Sequence, residues 1–216
     1  MKVNARPVVE CLRSRCIETT FTIIILSLFL ISCKTTGAAK KADAKLSSLR
    51  PVYITNTKKV NLLQPAAAGE VSEELQLLNG SFGKNSFSLM SYTQIDAQGI
   101  SLSLMNDFGT DMGNVFYDGV QVIFDSAFFP KNLPGEYIIC DIQNAYYDTA
   151  ALQENYETAG LRLEVWPAAV DEAGVQEIRC IYDGKKLIEE ITILKNTITI
   201  KNYLRGYEYN LTKLEE

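Results

Sequence analysis

The chain contains no histidine. That absence removes the commonest general base, the commonest neutral metal ligand and every Ser-His or Cys-His pairing. Cysteine is scarce, with five in 216 residues. Cys140 and Cys180, forty positions apart, do not form a zinc site. No Gly-x-Ser-x-Gly elbow occurs. Basic residues number 21 against 26 acidic, a net charge of −5. An acidic chain lacks the basic footprint that nucleic acid or anionic headgroups need. The longest apolar run, Phe21 to Ile31, is eleven residues, well short of the ~20 that span a bilayer. Together these absences argue against an enzyme, a metal or a cofactor.

What is present begins at the N-terminus. Lys2, Arg6, Arg13 and Arg15 precede the apolar run, and Leu30-Ile31-Ser32-Cys33 closes it. Positive, then apolar, then small residue is the order of a secretory signal. An aliphatic residue three before a cysteine, with a small residue just before it, forms a bacterial lipobox. In that motif the cysteine thiol receives a diacylglyceryl group and the chain is cut on its N-terminal side. Residues 1–32 are therefore expected to be a cleaved signal peptide, with Cys33 as the lipidation site. Lys34 follows Cys33 where some bacteria use aspartate for inner-membrane retention. The expected location is thus the cell envelope, lipid-anchored, and the outer membrane facing the periplasm in preference to the inner membrane.

Without residues 1–32 the chain has 184 residues, enough for one domain and a substantial core. The leader holds four basic and two acidic residues, leaving 17 against 24, a net charge of −7. Membrane attachment is then expected to come from the lipid and not from charge. Residues 34–48 (KTTGAAKKADAKLSS) are small, polar and without apolar period. The lipidated N-terminus and tether are placed at 33–69 and the domain at 70–216. Cys140 and Cys180 lie in that domain. Outside the cytoplasm two such thiols can pair as a disulfide; otherwise they are two small buried hydrophobes.

From Glu74 onward short segments alternate in polarity. Asn79-Gly80 reads as a hairpin turn. Phe87 and Leu89 alternate with serines, and Ile100-Ser101-Leu102-Ser103-Leu104 alternates without a fault. Val120-Gln121-Val122, Leu161-Arg162-Leu163 and Ile198-Thr199-Ile200 do the same. Period two means strands with one buried face. Many such strands in sequence point to a curved antiparallel sheet or barrel. Glu136 to Asn155 breaks the pattern. Ile138, Ile142, Ala145 and Tyr146 fall at helical spacing opposite Asp141 and Asn144, which predicts a solvated face for Asp141. Asp148-Thr149 divides this block into two short helices.

Several segments in register carry a resemblance. They are Gly80-Ser81-Phe82, Phe87-Ser88-Leu89, Asn106-Asp107-Phe108-Gly109, Tyr117-Asp118-Gly119, the block Ile139 to Tyr147, Ile178 to Tyr182, and Gly206-Tyr207-Glu208-Tyr209. Lying behind a lipobox, this order resembles an uncharacterised family of LolB-like bacterial lipoproteins, within the LolA/LolB group, over about Gly80 to Leu211. The resemblance implies a β-rich α+β fold: a curved, antiparallel, incomplete β-barrel with a central helical insert. It also implies an apolar cavity for acyl chains or lipidated proteins. LolB carries a protruding Asn-Pro-Leu-Gly loop that assists membrane transfer. Asn106 to Gly109 falls at the matching place, with Phe108 where the leucine would be and Asp107 in place of the proline. The alternative for Phe108 is a core side chain at a strand-end turn.

The concave, ligand-binding set is expected among Phe87, Leu89, Ile100, Leu102, Leu104, Val120, Val122, Leu161, Leu163, Ile198 and Ile200. The same stripes also suit a plain core. Two functions follow. One is a lipoprotein that binds acyl chains or lipidated cargo and helps their transfer or localisation. The other is a structural or assembly lipoprotein that binds an envelope protein partner and has no cargo cavity. Asp118 and Asp141 as a catalytic carboxylate pair is the weaker reading, since a turn and a solvated helix face also account for them.

Overall fold

The computed structural model describes residues 49–126, 129, 134–167 and 174–214. The signal peptide and Cys33 lie outside the described residues. The strands are β1 Val52–Tyr53, β2 Lys59–Val60, β3 Ser72–Phe82, β4 Asn85–Asp96, β5 Gly99–Met105, β6 Asp111–Tyr117 and β7 Val122–Ser126. Helices α1 Gly135–Tyr146 and α2 Thr149–Thr158 follow. Then come β8 Arg162–Pro167, β9 Val175–Asp183, β10 Lys186–Leu194, β11 Thr197–Asn202 and β12 Tyr207–Lys213. The helix pair sits where the alternating pattern breaks, and Asp148 accepts from the N–H groups of Ala150 (3.0 Å) and Ala151 (3.1 Å) as the N-cap of α2.

Among the described residues, β3 to β12 form one antiparallel ten-stranded sheet in the order β7-β6-β5-β4-β3-β12-β11-β10-β9-β8. Two meanders therefore join where β12 pairs with β3, Leu211 opposite Leu78. The sheet curves but does not close into a barrel; β7 and β8 are its edges. The curvature follows from α1. This helix packs against β6 and β7 and also against β10 and β11. Twelve residues of helix span only ~18 Å, whereas β7 and β10 are seven strands apart, ~34 Å in a flat sheet. The sheet must wrap around the helix.

The core lies between the concave face and the helices. It includes Ile95, Ile100, Leu104, Ile139, Leu152, Ile181 and Ile191. Residues 49–69, assigned to the tether on composition, also contribute. Val52, Ile54, Val60 and Leu62 are buried in the same cluster, and Tyr117 Oη donates to Leu63 O at 2.8 Å. The clustered core residues all lie between Leu49 and Leu211.

Three local expectations are corrected. Asn79-Gly80 is not a turn: both residues sit inside β3, and the hairpin falls at Gly83, whose φ is +61°. Val120 is not in a strand. Asp118 Oδ1 accepts from the N–H of Val120 and of Gln121 (each 2.9 Å), so a turn holds Val120 and the strand begins at Val122. Cys140 and Cys180 are both free and buried, so the disulfide does not form. The sheet separates them. Cys140 is on α1, whereas Cys180 pairs with Glu190 and Glu164 on the convex face, out of phase with Arg179, which reaches α1.

Candidate functional site

Strands β4, β7 and β12 bring a set of aromatic rings together at one end of the concave face. Phe87 meets Phe129 edge-on, with centroids 6.0 Å apart, and Tyr209 at 6.4 Å. Phe129 also meets Phe124 at 6.1 Å, and Tyr207 stacks on Tyr209 at 4.9 Å. Beneath these rings, between α1 and the sheet, lies an apolar cleft of about 50 Å³. Its walls are Leu78, Leu102, Leu104, Ile200 and Leu211 from the sheet, with Phe129, Ile138, Ile142 and Tyr146 facing them. That volume admits a few atoms and not an extended acyl chain.

Of the eleven expected lining residues, Leu102, Leu104 and Ile200 meet at this cleft. Phe87 is half-buried in the aromatic group beside it. Leu89, Ile100, Leu161 and Leu163 are core residues away from the cleft, and Ile198 lines a different hollow. Val122 is half-buried and packs against the core.

Asp141 also lines the cleft, and it is only 8% exposed. The expectation of a solvated face for Asp141 is therefore wrong. Amphipathic spacing placed the apolar stripe of α1 on one side, but the wrapped sheet covers both sides of the helix. Asp141 belongs to a buried polar chain. Tyr207 Oη donates to its two carboxylate oxygens at 3.0 and 2.9 Å. Asn202 Nδ2 donates to Glu189 Oε2 at 2.7 Å, and Asn144 Nδ2 donates to Glu189 Oε1 at 2.9 Å. Tyr156 Oη donates to Asn144 Oδ1 at 2.8 Å. Burial, and then the charge of Glu189, push the Asp141 carboxyl well above its ordinary range. Burial raises Glu189 as well, opposed by its two amide donors. Glu189 has two N–H donors that favour its charged form, whereas Asp141 has a single phenol, so burial lifts Asp141 with less opposition. None of these partners is visible in a local motif. The one signal was Glu189 inside an alternating strand, on the parity of Ile191.

The Asn106–Gly109 segment is an exposed loop between β5 and β6, and Phe108 is 93% exposed. Asn106 holds it: its Oδ1 accepts from Phe108 N (3.0 Å) and Thr110 N (2.9 Å), and Gly109 turns with φ +76°. The side chain of Asn106 thus constrains the loop locally.

A second hollow, about 470 Å³, lies on the concave face beside the C-terminal end of α1. Four of its charged groups pair with one another. Lys213 Nζ meets Glu74 Oε1 at 2.6 Å, Arg179 pairs with Glu177, and Tyr146 Oη donates to Glu74 Oε2 at 2.9 Å. Arg179 Nη1 also donates to the carbonyls of Asn144 and Tyr147, each 2.9 Å, closing the end of α1. Among the described residues no acidic or thiol cluster could hold a metal ion, and no helix is long and apolar enough to cross a membrane.

The model of the family described as Protein of unknown function (DUF3261) matches residues 73–215, from the start of β3 through β12. The chain belongs to this family. The DUF3261 match thus takes in the whole wrapped sheet, both helices, the cleft and the Phe108 loop. No curated protein matches the chain. Among solved structures, a domain described as belonging to an outer membrane lipoprotein-sorting protein from Vibrio parahaemolyticus is similar at 10% identity and a TM-score of 0.24. That match covers 70% of this chain and 87% of the other.

Proposed function

We propose that this protein is a lipid-anchored envelope protein that works at a membrane surface and shelters an apolar chain between α1 and the concave sheet. The observation that carries the reading is the pairing of an apolar, aromatic-rimmed cleft with a bare Phe108 on a held loop. An almost wholly exposed ring on a loop held by Asn106 is free to meet an apolar surface. The lipobox supplies the anchor at Cys33, and the LolB-like order of segments favours the outer membrane. The role is binding and transfer, without catalysis. At about 50 Å³ the cleft must widen to admit a chain.

The same small volume favours a second reading, an assembly lipoprotein whose groove stays closed and whose Phe108 loop meets a protein. Titration with cis-parinaric acid, a fluorescent acyl chain, separates the two. Saturable binding that Leu102→Phe weakens supports the sheltered-chain reading; no binding to the wild-type domain favours the closed one. For the anchor, Cys33→Ser followed by cell fractionation should leave the chain uncut and without acyl label. Normal processing and labelling of that variant would remove the lipoprotein claim.

A further inference from the structure

The net charge of −5 conceals a segregation that the fold creates. Antiparallel pairing places the β3–β4, β5–β6, β9–β10 and β11–β12 turns at one end of the sheet. Gly83 N donates to Gly206 O at 3.5 Å, which joins two of them directly. The β1–β2 hairpin lies against the same end: Lys58 Nζ pairs with Asp183 Oδ1 at 2.6 Å, and Arg205 donates to Tyr53 O. These turns and their flanking strand ends, with this hairpin, hold Lys58, Lys59, Lys84, Lys185, Lys186 and Arg205 against Asp107, Asp111 and Asp183. The described turns at the opposite end hold Asp96 and Asp118 against Lys195.

Four exposed aromatics, Phe82 (59% exposed), Phe108, Tyr203 and Tyr53, belong to the basic end, whereas Phe116 and Trp166 lie toward the other. Aromatic rings among lysines suit the boundary between headgroups and hydrocarbon, where rings bury and ammonium groups stay with phosphate. The chain also enters here. Arg50 is three residues before Tyr53, and its N–H donates to Glu136 Oε1 at 3.5 Å. Only sixteen positions separate Leu49 from Cys33. At ~3.3–3.6 Å per residue they reach up to about 55 Å, ample to bring this end down to the bilayer that holds the lipid.

We propose that this basic, aromatic end of the sheet docks on an anionic phospholipid surface, with Lys84, Lys185, Lys186 and Arg205 on the phosphates and Phe82 and Phe108 below them. The proposal rests on the membrane-surface reading of Phe108 and adds the headgroup chemistry and the orientation. The clustering of charge carries it: each basic group near an anionic surface strengthens attachment severalfold, and the acidic remainder of the protein is held away.

Residues 34–216 contain the whole described core and suit the test. Their co-sedimentation is measured with vesicles of phosphatidylcholine and with vesicles of equal phosphatidylcholine and phosphatidylglycerol. Tighter binding to the mixed vesicles is expected, weakening as salt rises. Lys185→Ala and Lys84→Ala should each lower it about fivefold, whereas Lys195→Ala at the far end should leave it unchanged. Equal binding to both vesicles, or an equal loss in Lys195→Ala, overturns the headgroup inference. If Phe108→Glu abolishes binding while the lysine variants do not, the membrane reading stands and the basic rim is wrong. If wild type binds neither vesicle, both fall.

Discussion

The ring of Phe87 lies across the backbone of Gly80, its partner on β3. A Cβ added at Gly80 would meet Phe87 Cζ at 2.2 Å, Cε1 at 2.5 Å and Cε2 at 2.8 Å. Gly80 is therefore fixed by a neighbour's side chain and not by a turn. The ring it admits reaches Phe129 and Tyr209 in the aromatic group beside the cleft.

Gly80→Ala should displace Phe87 and cost about 1–3 kcal/mol, as overpacking does. In a Phe87→Leu background the penalty should shrink, because the clash is with the ring. Urea unfolding of the two single variants and the double variant measures that coupling. Strict additivity would mean the ring and the glycine do not interact.

Asp141 makes stability fall as pH rises. Its carboxyl is raised in the folded state, so the folded chain keeps a proton that the unfolded chain gives up above pH ~4. Unfolding then releases a proton, and stability declines from about pH 4 upward until the folded carboxyl ionises. The slope is at most ~1.4 kcal/mol per pH unit. Glu189, Tyr207 and Arg205 are the groups that set its position. Asp141→Asn should flatten the slope, so its advantage over wild type should grow between pH 5 and pH 8 in denaturant melts. A parallel pair of curves would place the proton elsewhere.

The two domain thiols should stay reduced and inert. Burial raises both, Cys180 to about 11 and Cys140 well above its ordinary value. Native labelling with iodoacetamide should be slow at neutral pH and become complete in denaturant. Reductant should not change the melting temperature. Rapid native labelling at either residue would contradict the burial that both share.

Phe108→Glu should leave stability within ~0.5 kcal/mol, since the side chain has almost no protein contact to lose. It should nonetheless impair membrane association, because a charge resists entry into the bilayer. A large fall in melting temperature would mean the ring packs in the folded protein.

The alternating strands and the helix break at Asp148 were legible in the sequence, because periods of two and 3.6 report which face meets the core. Glycines were legible only in part. Gly119 turns at positive φ as Asp118-Gly119 predicts, but the hairpin turns at Gly83, and Gly80 serves a side chain seven residues away. Face assignment on α1 failed for a related reason. An amphipathic pattern assumes one buried side, and a sheet that wraps the helix buries Asp141 and Asn144 as well. Their partners Glu189 and Tyr207 come from strands 45 and 66 positions later, beyond any local motif.

On the sheltered-chain reading, an apolar chain enters between α1 and the sheet. That reading is tested most directly by extracting the protein from cell envelopes and identifying bound lipid by native mass spectrometry. Wild type should carry an acyl species besides its own anchor, and Leu102→Phe, which fills the cleft, should lose that species while keeping the anchor. Wild-type protein carrying only its own anchor, or a Leu102→Phe variant with undiminished cargo, would contradict the account.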